Sequence, residues 1–138
     1  MKSLNAFTRL RNRVSMLLAA GLLLSTVAFT PADDPITITI QVSPNVLNIQ
    51  NQGTWVTVHA DIPYSTVVGA TVTLNGVEVK TTFADNQGNL VAKFVIADIK
   101  GLPLNIGEYN TLTLFGFTKD GGEFIGSSDI KVINQTGR

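Results

Sequence analysis

The chain holds a single histidine, His59, in the run Trp55-Val56-Thr57-Val58-His59-Ala60-Asp61, with Tyr64 close behind. In an extended strand successive side chains point to opposite faces. Trp55, Thr57, His59 and Asp61 therefore share one face, and Val56, Val58, Ala60 and Ile62 the other. An indole, an imidazole and a carboxylate in line can stack on a sugar and hydrogen-bond to it, which makes Trp55, His59 and Tyr64 the candidate glycan-binding residues. The plainer alternative is a polar strand face whose tryptophan covers a sheet edge. Catalysis finds less support. A Ser-His-Asp triad would need arbitrary partners for His59, and there is no nucleophile elbow. Asp61, Glu78, Asp85, Asp98 and Glu108 could supply paired carboxylates for glycoside cleavage, but they are dispersed over turns and strand ends where solvated charges usually sit. One histidine without cysteine gives too few ligands for a metal. The expectation is a non-enzyme with no catalytic residues, no cofactor and no metal.

The ten basic and ten acidic residues balance only in sum. Lys2, Arg9, Arg11 and Arg13 all precede the apolar run Val14 to Leu24, and together they form a Sec-type pattern. Residues 1–32 read as a secretory signal peptide, cleaved after Ala28 (Thr26 at −3) or after Ala32 (Thr30 at −3). Even extended to Phe29 the apolar run is shorter than the roughly 20 residues of a spanning helix; retention as an anchor is the alternative. Removing those four residues leaves six basic against ten acidic ones, a net charge of −4 for residues 33–138. Such a balance excludes a polyanionic partner such as nucleic acid. Without cysteine there is neither a lipid anchor through an N-terminal thioether nor a disulfide. The expected location is secreted or extracellular, with the periplasm or cell surface as variants.

Period-two alternation dominates from Ile36 onward, and no stretch has a helical period. Seven strands are expected: Ile36–Val42, Trp55–Ile62, Ala70–Leu74, Val77–Phe83, Leu90–Ile96, Thr111–Lys119 and Glu123–Ile133. Asn75-Gly76 signals a tight type I′ hairpin between the third and fourth. With Asp120-Gly121-Gly122 as the last loop, Lys119 faces Glu123, Phe117 faces Ile125 and Gly116 faces Gly126. About seven short antiparallel strands in one domain, residues 33–138, point to an all-β, two-sheet sandwich of the immunoglobulin type; a small Greek-key barrel is the alternative. The first strand, flat and uncharged, is an edge hazard unless paired. Ile36, Ile38, Ile40 and Val42 are therefore candidates for donation into a neighbouring subunit, which would build a filament or matrix.

Several segments carry a resemblance: Val46-Leu47-Asn48 with Gly53-Thr54-Trp55-Val56-Thr57-Val58; Thr73-Leu74-Asn75-Gly76-Val77; Val91-Ala92-Lys93-Phe94; and a closing stretch with Leu112-Thr113-Leu114, Gly116, Lys119-Asp120-Gly121, Phe124, Gly126 and Ile130-Lys131-Val132-Ile133. Over most of residues 46–133 the chain resembles an Ig-like β-sandwich module of bacterial and archaeal secreted proteins, often found beside dockerin-type domains. The resemblance implies a non-catalytic sandwich and no single activity. Two departures stand out. Where relatives often have an acidic, calcium-suited loop, this chain has Asp85-Asn86-Gln87-Gly88-Asn89 with one carboxylate, which argues for a plain turn. Phe115, Phe117 and Ile125 stand where similar modules tend to have threonine or a charge. By the register above they share a face opposite Leu112, Leu114, Phe124 and Ile130. Three readings follow: cover by the loop Gly101-Leu102-Pro103-Leu104, a bulge at Gly116 that turns the phenylalanines inward, or an interaction surface. The functional expectation is an extracellular module acting by protein binding, self-association or cell-surface structural association. A strand-donated filament or a module for cell-surface glycan is the alternative. Asn134-Gln135-Thr136 also matches a glycosylation sequon.

Overall fold

The computed structural model describes residues 34–136. The expected signal peptide, its cleavage site and the domain boundary at residue 33 lie outside the described residues. The strands are β1 (Ile36–Thr37), β2 (Ile40–Ser43), β3 (Val46–Asn48), β4 (Trp55–Pro63), β5 (Val67–Leu74), β6 (Val77–Glu78), β7 (Thr81–Ala84), β8 (Asn89–Val95), β9 (Tyr109–Thr118) and β10 (Glu123–Ile133). A 3-10 turn, Tyr64–Thr66, links β4 to β5, and a short helix α1, Ile96–Lys100, follows β8. One sheet has the order β1-β10-β9-β5-β6, with β3 also on β10; the other has the order β2-β4-β8-β7. The result is an all-β sandwich.

Alternation explains the layers. Val56, Val58, Ala60 and Ile62 of β4 and Leu90, Ala92 and Phe94 of β8 are buried from one side. Val72 and Leu74 of β5, Leu112 and Leu114 of β9, and Phe124, Ile130 and Val132 of β10 are buried from the other, in the same apolar cluster. Each large side chain removed from water contributes roughly 1.5–3 kcal/mol, and with no disulfide this packing is the main source of stability. The Asn75-Gly76 turn forms as expected, with φ of 47° and 84°, and pairs Leu74 with Val77.

The first expected strand is not one strand. β1 runs parallel to β10, Ile36 opposite Phe124, and the Ile38 N–H donates to the Ile125 carbonyl at 2.9 Å. The chain then crosses to the other sheet: the Asp61 N–H donates to the Thr39 carbonyl at 2.9 Å, and β2 pairs antiparallel with β4. After the cis Ser43–Pro44 bond it returns, and β3 lies parallel to β10 with Leu47 opposite Val132. The expected all-antiparallel arrangement is thus corrected by two parallel pairings. The same alternation that puts Ile40 and Val42 in the core leaves Ile36 half exposed, because it lies before the crossing. Gly126 makes the crossing possible. A Cβ there would lie 2.7 Å from the Ile38 carbonyl oxygen and 2.9 Å from side-chain carbons of Ile38 and Ile40.

The fourth expected strand divides in the same way at the opposite edge. β6 pairs with β5 in the first sheet and β7 with β8 in the second. The Val79 N–H donates to Val72 at 3.1 Å and the Lys80 N–H to Lys93 at 2.8 Å, so the switch occurs between those residues. The fifth expected strand loses Ile96 to α1, whose five residues are too few to show a period; Ile96 and Ile99 are buried. Asn110, a buried polar residue, accepts from the Asn105 N–H at 2.7 Å and donates to the carbonyls of Asn105 and Glu108. It thereby shapes the approach to β9.

The last hairpin also differs from expectation. Phe117 faces Glu123, Gly116 faces Phe124 and Phe115 faces Ile125. The Thr118 N–H donates to Gly122 at 2.8 Å, so the loop is Lys119-Asp120-Gly121, with φ of 92° at Gly121. Asp120 decides this: its Oδ1 accepts from the Thr118 hydroxyl and from the Gly122 N–H. Moving the loop by one residue moves the register by two, which preserves the faces. Gly116 then lies under the Phe124 ring, where a Cβ would come within 2.5 Å of Cζ.

Gly126→Ala should destabilise the domain by about 1–3 kcal/mol in urea unfolding, because the nearest obstruction is backbone. Asn110→Ala should cost about 1–3 kcal/mol by the same measurement, through the buried groups it leaves unpaired.

Candidate functional site

Phe115, Phe117 and Ile125 come together on the outer face of the first sheet. Phe115 and Ile125 are cross-strand partners, and the rings of Phe115 and Phe117 meet edge to face with centroids 5.3 Å apart at 85°. None of the three belongs to the core cluster. The phenylalanines therefore stay outside, although an irregularity does occur here. It shifts the β5 register between Phe115, opposite Thr73, and Phe117, opposite Val68. The Phe117 N–H donates to the Thr71 hydroxyl at 2.9 Å, and that hydroxyl donates to the Val68 carbonyl at 2.6 Å. The bulge delivers Val68 to the cluster, where it and Phe117 are each 37% exposed. Leu102 and Leu104 pack against the core instead of covering this face.

Nothing in the sequence marks Val68: the third strand is expected to begin at Ala70, and a bulge has no sequence period. Glu123, opposite Phe117, and Glu78, opposite Thr73, flank the cluster on the same face. Farther along, Thr113 and Ser127 share a hydrogen bond of 2.8 Å and Thr111 donates to Asp129 at 2.7 Å.

The outer face of the second sheet carries Trp55 and His59, both exposed, on β4. Tyr64 lies beyond the strand in the 3-10 turn, and its N–H donates to Gly88 at 2.9 Å. Neither Trp55 nor Tyr64 lines the three grooves that meet at His59, of about 480, 460 and 420 Å³. Those grooves bring in residues that alternation along β4 did not reveal. Phe83 is cross-strand partner to Val91, which is partner to His59 on its other side. Val91 is buried although it lies on this outer face, outside the core cluster. Lys93, in the neighbouring row, sets its Nζ 5.7 Å from the Trp55 ring centroid and 5.8 Å from that of Phe83.

The loop Asp85–Asn89 closes one side. Oδ1 of Asp85 accepts the N–H of Gln87 at 2.8 Å and of Asn89 at 3.0 Å. These bonds, Asn89 first, hold the carboxyl below its ordinary value of 3.8, and His59 adds a smaller electrostatic pull. Asp120 is lowered likewise, by the Thr118 hydroxyl and then the Gly122 N–H. Among the described residues no three His, Cys, Asp or Glu side chains are arranged to hold a metal ion.

The strand-donation candidates are divided. Ile40 and Val42 fill the core, Ile38 packs partly against it, and Ile36 is 51% exposed. Ile36 and Ile38, with Ile62, Pro63, Thr118 and Lys119, line a groove of about 610 Å³ at the end of the sandwich. No known protein family, curated protein or solved structure matches the chain.

The lowered carboxyls contribute to the acid response. A folded-state pKa below the unfolded one contributes stability that is fully present above 3.8 and is lost as pH falls through the lower folded value. Thermal midpoints recorded across that acid range should therefore fall, and the fall should be shallower in an Asp85→Ala, Asp120→Ala double variant.

Proposed function

We propose that the chain is an exported, non-catalytic immunoglobulin-like module that binds a protein through the outer face of its first sheet. The strand orders support the fold type: β2-β4-β8-β7 opposite β10-β9-β5 corresponds to the ABED and GFC sheets of that architecture. The observation that carries the function is the cluster of Phe115, Phe117, Ile125 and Val68, bulky apolar side chains on a face that a sheet packed on one side would leave polar. Its centre is apolar and Glu78 and Glu123 flank it, so the complementary surface is apolar with a basic margin. A strand-donated filament would require Ile40 and Val42 to leave the core they fill here and to remake the same pairings between chains.

The test places a photo-crosslinking benzoylphenylalanine at position 117 of the protein exported by its own host. One discrete adduct is expected, with a second copy or another protein identified by mass spectrometry, and none when the same probe replaces Thr57 on the opposite sheet. Equal labelling from both positions, or no adduct, overturns the proposal. Phe117→Lys should leave folding stability within about 0.5 kcal/mol and abolish the association.

A further inference from the structure

The second sheet offers a different chemistry on its own outer face. His59 borders three open grooves, two along the second sheet and a third that runs off its edge to Ser128 and Asp129 of β10. Phe83 is 42% exposed and stands over Val91, so one groove has an aromatic wall and an apolar floor. The adjoining groove is lined by Gln41, Asp61, Gln87 and Asn89. An aromatic plate beside planar amide and carboxylate groups suits a pyranose ring: its C–H face stacks while neighbouring hydroxyls donate to and accept from the polar side chains.

The charges select among sugars. Asp61, Asp85 and Asp129 line the grooves. No lysine or arginine is among the residues lining the grooves, and Lys93 sets its Nζ within 6 Å of the Phe83 and Trp55 ring centroids and is attracted by both. An anionic glycan would meet the carboxylates first.

We propose that this face binds a neutral oligosaccharide or polysaccharide chain, with Phe83 as the stacking plate, His59 between the subsites and Trp55 as a second plate beyond Lys93. The site thus differs from a simple Trp55-His59-Tyr64 ledge. It is also independent of the Phe117 cluster, which lies on the other sheet.

The experiment titrates the isotope-labelled domain with a panel of neutral hexasaccharides (β-glucan, xylan, mannan and chitin series) and with hexagalacturonate as the anionic control, following the His59 imidazole resonances and heat of binding. At least one neutral hexamer should bind and shift His59. Phe83→Ala should weaken that binding about tenfold or more while the amide spectrum of the rest of the domain stays that of the folded protein, and Phe117→Lys leaves the binding intact. The longer chain should bind more tightly than its disaccharide. Binding of the anionic hexamer alone, binding by none of the panel, or binding indifferent to Phe83→Ala overturns the proposal.

Discussion

The segment from Ile36 to Asn48 is bonded to both sheets, and the arrangement of the sandwich depends on that double attachment. It lies on β10 at two places and on β4 between them, so the two sheets are joined along one edge by main-chain hydrogen bonds as well as by side-chain packing. Gly126 is the residue that yields the space. β6 and β7 repeat the device at the far edge, where the chain changes sheets at Val79 and Lys80. With both edges joined, neither sheet offers a long continuous edge strand, and Pro63 at the end of β4 has no N–H to lend.

Besides the groove at the end of the sandwich, edge closure leaves two broad faces, and they differ. The first sheet presents aromatic and aliphatic groups at one end and threonine and serine pairs beyond them. The second presents a trough walled by Phe83, His59 and the Asp85–Asn89 turn. In each case a local irregularity completes the surface: a bulge in β5 brings up Val68, and a turn held by the Asp85 carboxylate walls the trough.

Much of this was legible in alternation alone. The inward residues of β4, β8, β9 and β10 follow directly from period two, and so does the outward position of Phe115, Phe117 and Ile125. Asn75-Gly76 identified its turn because few residue pairs accept those backbone angles. What escaped were places where tertiary bonds override a continuous pattern. Ile36–Val42 and Val77–Phe83 each read as one strand because changing sheets does not interrupt the inward-outward rhythm. The last loop was displaced by one residue because Thr118 and Asp120 bond to each other, an effect outside any strand pattern. Phe83 and Asp85 joined His59 through pairing across three strands, which spacing along one strand cannot show.

The parallel pairing on β10 has a mechanical consequence. Tension that draws β1 and β3 one way and β10 the other acts along the strands, so the hydrogen bonds at Ile38, Lys131 and Ile49 bear it in shear instead of opening from one end. Antiparallel neighbours pulled from the same end would unzip. Sliding these strands apart therefore requires several main-chain hydrogen bonds to break at once, on both sides of the crossing to the second sheet.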